Sequence, residues 1–249
     1  MANWSDPNGR APAFSQIGDA AGGVSDAGLR SYMLSVYNYM ASGVLLTGIV
    51  AMAFAASGMA EQIFSPSGRG MSVLGMVLSF APLAFVLVLS FGINRISTLT
   101  AQMLFWAYAA VMGLSLSTIL LVYTGTSVAT VFFSTAAAFA GLSLFGYTTK
   151  KSLSGFGTFL LMGLFGIIGA TLLNVFIFKS PGLDLAISII GVLIFAGLTA
   201  YDTQKIKNSY YEVQGTDFAG KAVVMGALTL YLDFINMFLF LLRLFGDRR

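Results

Sequence analysis

Residues 183–201 read LDLAISIIGVLIFAGLTAY, a run of nineteen residues in which Asp184 is the one charged side chain. About 20 predominantly apolar residues in a helix are enough to cross the hydrocarbon core of a bilayer. Asp184 follows Pro181-Gly182 and would lie in the first helical turn, where a carboxylate interacts favourably with the helix dipole. The stretch therefore predicts a membrane-spanning helix that begins near Pro181.

Six further apolar runs of similar length occur along the chain, separated by short polar segments. Their approximate limits are 33–57, 72–94, 102–122, 128–147, 156–178 and 222–245. Of the 249 residues, 57% are apolar and only 9% are charged, whereas a soluble domain carries roughly 25% charged residues. The sequence predicts an all-α fold, a polytopic membrane protein whose residues 29–249 form a bundle of seven transmembrane helices around the last one.

The N-terminal segment has a different composition from the rest of the chain. Residues 1–28 are rich in Gly, Ala, Ser and Asp and contain no apolar core of the kind found in a signal peptide. A segment with so little apolar surface to bury is typical of disorder. We therefore expect residues 1–28 to form a disordered N-terminal tail.

Lys and Arg residues in the loops predict the orientation of the bundle, because they accumulate on the cytoplasmic side. Two of them, Arg69 and Lys179, lie in loops on the side opposite the N-terminus. Eight lie on the N-terminal side: Arg10, Arg30, Arg95, Lys150, Lys151, Lys205, Lys207 and Lys221. We expect a cytoplasmic N-terminus. Seven full crossings would place the C-terminus on the side opposite the N-terminus, whereas one re-entrant segment would place it on the same side. The sequence does not decide between these two positions of the C-terminus.

Composition also excludes several kinds of chemistry. The chain has no cysteine and no histidine, which rules out disulfides, thiol or imidazole metal sites and a Ser-His hydrolase. The net charge of +3 is accounted for by orienting loop residues, so no nucleic-acid partner is predicted. An intramembrane aspartyl protease would use two aspartates, but the sequence has neither a Gly-x-Gly-Asp nor a Pro-Ala-Leu motif. No enzymatic activity is predicted.

Asp233 is the most unusual charged residue, because it lies eleven residues into the last apolar run. A rise of 1.5 Å per residue places it roughly 15 Å deep, near the middle of the membrane. Asn236 follows at i+3 on the same helix face and is a possible supporting residue. A carboxylate at this depth must pair, take up a proton or line a wet cavity. The alternative is a protonated Asp233 that only makes a hydrogen bond between helices.

Asp202 ends the sixth apolar run and is followed by Lys205. The predicted topology puts this end of the helix on the same side as Arg95, which follows the second run. Arg95 and Asp202 could therefore form an ionic latch. Asp202 could equally be an interfacial residue that is partly solvated beside Lys205.

Two motifs, YDTQKIK at residues 201–207 and LTLYLDFINMFLFLLRLFG at residues 228–246, resemble the Bax inhibitor family, also called transmembrane Bax inhibitor motif proteins. The resemblance extends from about Leu29 to the end of the chain. It implies a member from a bacterial inner membrane that is similar to calcium-leak proteins. It also implies that Asp202 and Asp233 form a pH-sensing pair and that Arg95 latches to it.

Physical chemistry agrees with the implied role. Two close carboxyl groups in a low dielectric share a proton and titrate as one unit. Once the proton leaves, repulsion separates them, and carboxylates with backbone oxygens suit a hard cation such as calcium. One difficulty is that the helix limits place Asp233 considerably deeper in the membrane than Asp202. Pairing requires the sixth helix to enter the membrane more deeply, or the seventh to begin before Ala222.

The sequence thus predicts a pH-regulated calcium leak pathway, with calcium as the permeant ion or a transient ligand of Asp202 and Asp233, and with no resident cofactor. Its partners would be the lipid bilayer, calcium ions and protons. The alternative is a non-catalytic membrane regulator that binds and modulates a membrane-bound protease.

Overall fold

A computed structural model describes residues 14–64 and 71–249, with side chains from residue 27 onward. Within these residues seven helices are long and apolar enough to cross a membrane, which confirms the predicted all-α bundle. Their bounds are α1 Phe14–Ala56, α2 Val73–Gly92, α3 Thr98–Val122, α4 Gly125–Thr148, α5 Ser154–Leu173, α6 Pro181–Val213 and α7 Ala219–Phe245. A 3-10 helix, Met59–Ile63, follows α1, and a π-helical turn, Asn174–Phe178, ends α5.

Helix α7 occupies the centre of the bundle, as the sequence predicted. It packs against α1, α3, α4 and α6, and it is the most buried of the seven spans. Helix α2 packs mainly on α3, and α5 mainly on α6, so these two lie at the periphery. The consequence is that the middle of α7 is enclosed by protein, whereas most residues of α2 are exposed on the surface of the bundle.

Side-chain caps and a proline define where several helices begin. Ser72, Ser97, Thr124 and Ser180 each accept a hydrogen bond from a backbone amide in the first turn of the helix that follows. Such caps satisfy amides that have no partner within the helix. Pro181 lies at the start of α6, where a proline costs nothing because its missing amide would be unpaired, and Asp184 lies in the first turn as expected.

Two helices extend beyond the apolar runs that predicted them. Helix α6 continues past Tyr201 to Val213, and α1 begins at Phe14 rather than near Met33. The predicted tail of residues 1–28 therefore overlaps α1 over residues 14–28, which are helical, and residues 1–13 lie outside the described part of the chain. Hydropathy locates the part of a helix that contacts lipid, and polar turns that continue the same helix into water give no hydropathic signal.

The C-terminus lies at the end of the bundle opposite the start of α1. The Thr124 amide donates to the Asp247 carbonyl at 2.9 Å, and the Arg249 amide donates to the Val122 carbonyl at 2.9 Å. These bonds hold the last residues against the turn between α3 and α4, which seven alternating helices place on the far side. The structure therefore favours seven full crossings over a re-entrant C-terminal segment.

Helices α4 and α6 cross closely at Gly146. A Cβ atom at this position would overlap the carbonyl group of Ala200 on α6. Backbone cannot move aside as a flexible side chain can, so the crossing requires a residue without a side chain. This contact sets the spacing of α4 from the part of α6 that carries Asp202.

We expect Gly146→Ala to lower the melting temperature of the detergent-purified protein by about 5 °C, because overpacking a tight contact costs about 1–3 kcal/mol. Gly141→Ala, on the same helix, is the matched control, since a Cβ atom there meets nothing within 4 Å. It should leave the melting temperature unchanged or raise it slightly. Equal melting temperatures for the two variants would show that the crossing is looser than described.

Candidate functional site

Asp233 and Asp202 are in direct contact. Asp233 lies on α7 with only 4% of its surface exposed, and Asp202 is half-buried on α6. Their two carboxyl groups lie close enough to share a hydrogen bond when one of them carries a proton. We call these two residues the aspartate pair.

A hydrogen bond between them would require a proton, because two ionised carboxylates offer only acceptors. Among the described residues, Oδ2 of Asp233 has no conventional donor. A bare carboxylate would therefore be buried in an apolar bundle with an unsatisfied oxygen, which is costly. One proton held between the two groups would supply the missing donor and remove the repulsion between like charges.

The extension of α6 explains how the two carboxyl groups come to similar depths. Asp202 lies eleven residues before the end of α6 at Val213, and Asp233 lies fourteen residues after the start of α7 at Ala219. At 1.5 Å per residue, the two positions are ~17 Å and ~21 Å from the α6–α7 connection. The depth difference expected from the apolar runs is thus reduced, because α6 and α7 both extend beyond those runs.

Three hydroxyl groups form a network beside the pair. The Tyr37 hydroxyl on α1 lies 2.7 Å from Ser143 Oγ on α4, which lies 2.9 Å from Thr203 Oγ1 on α6. Thr203 Oγ1 also contacts the Thr199 carbonyl at 2.7 Å. We call Tyr37, Ser143 and Thr203 the hydroxyl network. It joins three helices next to Asp202.

Gln204 attaches the connection between α4 and α5 to the same part of α6. Its Oε1 accepts from the Leu153 amide at 2.8 Å, and its Nε2 donates to the Lys151 carbonyl at 2.9 Å. The YDTQ motif therefore has a structural role in addition to carrying an acidic residue. Thr203 and Gln204 fix the position of the helix that carries Asp202. The sequence analysis treated only Asp202 as important, although two polar residues directly after a spanning run were a usable signal.

A second polar contact holds α7 in place near Asp233. Thr47 Oγ1 on α1 donates to the Ala109 carbonyl on α3 at 2.8 Å and lies 2.7 Å from the Tyr231 hydroxyl. Because the Thr47 hydrogen goes to Ala109, Tyr231 must donate to Thr47. These buried bonds connect α1, α3 and α7 two residues before Asp233. Sequence reasoning missed them, since nothing in the local pattern of α1 identifies Thr47.

Arg95 lies away from the aspartate pair in this structure. It is exposed, three residues before the start of α3 at Thr98. Thr98 lies against Gly220 in the first turn of α7. Asp233 is thirteen residues further along α7, which corresponds to ~20 Å. The structure does not bring Arg95 together with Asp202, so a latch would belong to another conformation.

Asn236 turns its amide back on its own helix, where Nδ2 donates to the Leu232 carbonyl at 2.8 Å. The described residues contain no group of three or more acidic, histidine or cysteine side chains that could hold a metal ion. Calcium takes six to eight oxygen ligands when it is bound tightly. The aspartate pair alone offers fewer oxygen ligands than this.

Comparison with known proteins places this geometry in a family. Residues 29–249 match the family described as "Inhibitor of apoptosis-promoting Bax1". The chain belongs to the Bax inhibitor family. The match covers all seven spans and both aspartates, so the resemblance in the two motifs reflects relationship over the whole bundle.

Bacterial members of the Bax inhibitor family are similar to this chain over nearly its full length. An uncharacterized protein of Caulobacter vibrioides is 49% identical over 90% of this chain and 91% of its own length. Inner membrane protein YbhL of Escherichia coli strain K12 is 48% identical over 90% of this chain and 94% of its own length. This chain is accordingly a multi-pass membrane protein of the Bax inhibitor family.

The Thr47 contact yields a test of how α7 is positioned. We expect Thr47→Val to lower the melting temperature by about 4 °C, because it leaves the buried Tyr231 hydroxyl without an acceptor. Adding Tyr231→Phe should restore part of the loss, since the unsatisfied hydroxyl is then removed.

Thr135→Val is the control, because the Thr135 hydroxyl is fully buried but bonds only to the Val131 carbonyl of its own helix. It should change the melting temperature little. Strictly additive effects of Thr47→Val and Tyr231→Phe would contradict the direct bond.

Proposed function

We propose that the protein is a pH-regulated calcium leak pathway of a bacterial inner membrane, in which the aspartate pair is the gate. The observation that carries the proposal is the contact between Asp202 and Asp233, two carboxyl groups on neighbouring helices inside an apolar bundle. With one shared proton, the pair joins α6 to α7. Without it, two negative charges face each other in a low dielectric and repel.

The sign of the pH dependence follows from this arrangement. Raising the pH removes the shared proton, converts an attraction into a repulsion and favours separation of α6 from α7 at the level of the pair. The separated carboxylates then offer oxygen ligands to a divalent cation. Calcium flux should therefore be low at acidic pH and rise as the pH rises.

The position of the pair supports a gate rather than a passive packing role. Asp233 lies on the central helix α7, and Asp202 lies on α6, the helix that packs most extensively against α7. The surrounding bonds to α1, α3 and α4 hold both helices from the other sides. A change in charge is thus concentrated on one interface, between α6 and α7. The protein would act without a resident cofactor, with calcium as its cargo.

We expect Asp202→Asn and Asp233→Asn each to give low calcium flux that is nearly independent of pH, measured in proteoliposomes across a pH series. Each change removes one partner in proton sharing while keeping the side chain's shape. The double variant should add little to either single variant, because interacting residues are non-additive.

Asp184→Asn is the matched control, since Asp184 lies in the first turn of the same helix α6, far from the pair. It should keep the parent's pH profile. If the two pair variants also keep that profile, the aspartates are not the gate. If the parent protein carries no calcium at any pH, transport is excluded and the alternative of a non-catalytic regulator of a membrane protease becomes the better account.

We propose that Arg95 stabilises a closed conformation by pairing with Asp202 after a movement of the α2–α3 end of the bundle. In that case Arg95→Ala should raise the basal calcium leak, because it removes an attraction specific to the closed state. Lys150→Ala removes an exposed charge at the same end of the bundle and serves as the control. An unchanged leak in Arg95→Ala, with correct membrane orientation, would leave Arg95 as a topology determinant only.

A further inference from the structure

A groove opens between α1 and α4 on the membrane-facing surface. It has a volume of about 610 Å³ and is lined by residues of α1 between Arg30 and Tyr37 and residues of α4 between Phe139 and Tyr147. Both helices pack against α7, but the α1–α4 pair is absent from the principal helix–helix contacts. The α1–α4 groove is therefore a gap in the ring of helices around α7.

Positive charge is concentrated at one end of the α1–α4 groove. Arg30 lines the mouth and is exposed. Lys207 on α6 donates to the Tyr147 carbonyl at 2.7 Å, and its ammonium group lies 5.2 Å from the centre of the Tyr147 ring. Lys150 and Lys151 follow Tyr147 in the exposed connection after α4. No acidic residue is among the described residues that line the groove.

The rest of the groove is mainly apolar. Its walls are formed mainly by Met33, Leu34, Phe139, Ala140 and Leu144. Polar groups on its floor are satisfied, since the Tyr37 hydroxyl and Ser143 Oγ bond to each other and to Thr203. An apolar occupant can therefore lie on this floor without leaving buried hydroxyl groups unpaired.

We propose that the α1–α4 groove binds an anionic phospholipid from the leaflet on the N-terminal side of the bundle. The headgroup phosphate would lie at Arg30 and the Lys207–Tyr147 end, and one acyl chain would fill the apolar part between α1 and α4. Basic clusters at the ends of spanning helices attract anionic headgroups, and each Lys or Arg near the surface adds to the attraction. The proposal concerns lipid binding and does not depend on calcium transport.

The geometry matches the two parts of a phospholipid. The cationic end lies where α1 begins its membrane span and α4 ends, which is the level of the headgroups. From Arg30 to Tyr37 the groove follows α1 for seven residues, ~10 Å into the bilayer. A free anion would interact with the basic side chains but would not contact the apolar walls. A neutral lipid would contact the apolar walls but would not interact with the basic side chains.

The test is thermal unfolding of the full chain in detergent, with phosphatidylglycerol or phosphatidylcholine of identical acyl chains added in a concentration series. A ligand that binds the folded state raises the melting temperature. Phosphatidylglycerol should stabilise the protein at several-fold lower concentration than phosphatidylcholine. Each of Arg30→Gln and Lys207→Gln should raise the phosphatidylglycerol concentration needed for half of the stabilisation about fivefold.

Two controls separate this site from general attraction to charged lipid. Lys221→Gln removes a charge at the same end of the bundle but on α7 and outside the groove's lining, and it should leave the lipid preference unchanged. Ala140→Trp should fill the groove and abolish the added stabilisation by phosphatidylglycerol. Ala137→Trp, on an exposed α4 position outside the lining, should not.

The proposal is overturned if phosphatidylglycerol and phosphatidylcholine stabilise the protein equally. It is also overturned if Lys221→Gln weakens the preference as much as Arg30→Gln, or if Ala140→Trp retains the parent's response. Stabilisation by inorganic phosphate alone, at the same concentrations, would point to an anion site without a lipid chain and would equally contradict it.

Discussion

A carboxyl group buried at the centre of an apolar bundle has few stable arrangements, and this constraint determines how the helices around Asp233 are organised. Burial of an isolated ionised carboxylate costs far more than a protein's net stability, so the group must be neutral or paired. Asp202 supplies a partner, but only if a proton is present between them. In the proposed function, helix α7 is held against α6 by an interaction that exists in one protonation state and turns repulsive in the other.

Other polar contacts of the bundle form a frame that holds α6 and α7 in position around that interaction. The Thr47–Tyr231 bond holds α7 to α1 and α3, and the hydroxyl network holds α6 to α1 and α4. These bonds involve neutral hydroxyl groups and carbonyls. On this proposal the frame is insensitive to pH, whereas the α6–α7 contact at Asp202 and Asp233 is sensitive to it. A molecule built in this way concentrates a charge change on one helix interface instead of loosening throughout.

Much of the fold was predictable because lipid imposes a simple demand on sequence: about 20 apolar residues for each crossing. The seven spanning helices follow from it. The C-terminal end of α6 and the N-terminal end of α1 were not predicted, because residues 204–212 and the residues before Met33 are too polar to be recognised as membrane helix. They are nevertheless helical, and in α6 side-chain bonds such as Gln204 to the α4–α5 connection and Tyr32 to Ser209 support them.

The candidate site was predictable in its acids but not in its surroundings. Asp202 and Asp233 were singled out because charge is rare in spanning helices. Thr47, Ser143 and Thr203 were missed because a hydroxyl in a membrane helix often bonds to its own backbone, and only the rotation and crossing of the helices shows which ones do more. Arg95 was placed correctly at an end of the bundle, but its distance along the membrane normal from Asp202 depended on where α6 ends.

Infrared spectroscopy of the full chain in lipid, titrated with pH, tests the shared proton most directly, because a protonated carboxyl group gives a C=O stretching band that a carboxylate lacks. Asp233 is the one buried acid among the described residues, so the band of a buried carboxyl group reports on this site. The account predicts that this band disappears from the parent protein as the pH rises. In Asp202→Asn the band should change both its position and its pH dependence, and in Asp233→Asn it should be absent. An Asp202→Asn protein with the parent's band and titration would contradict it.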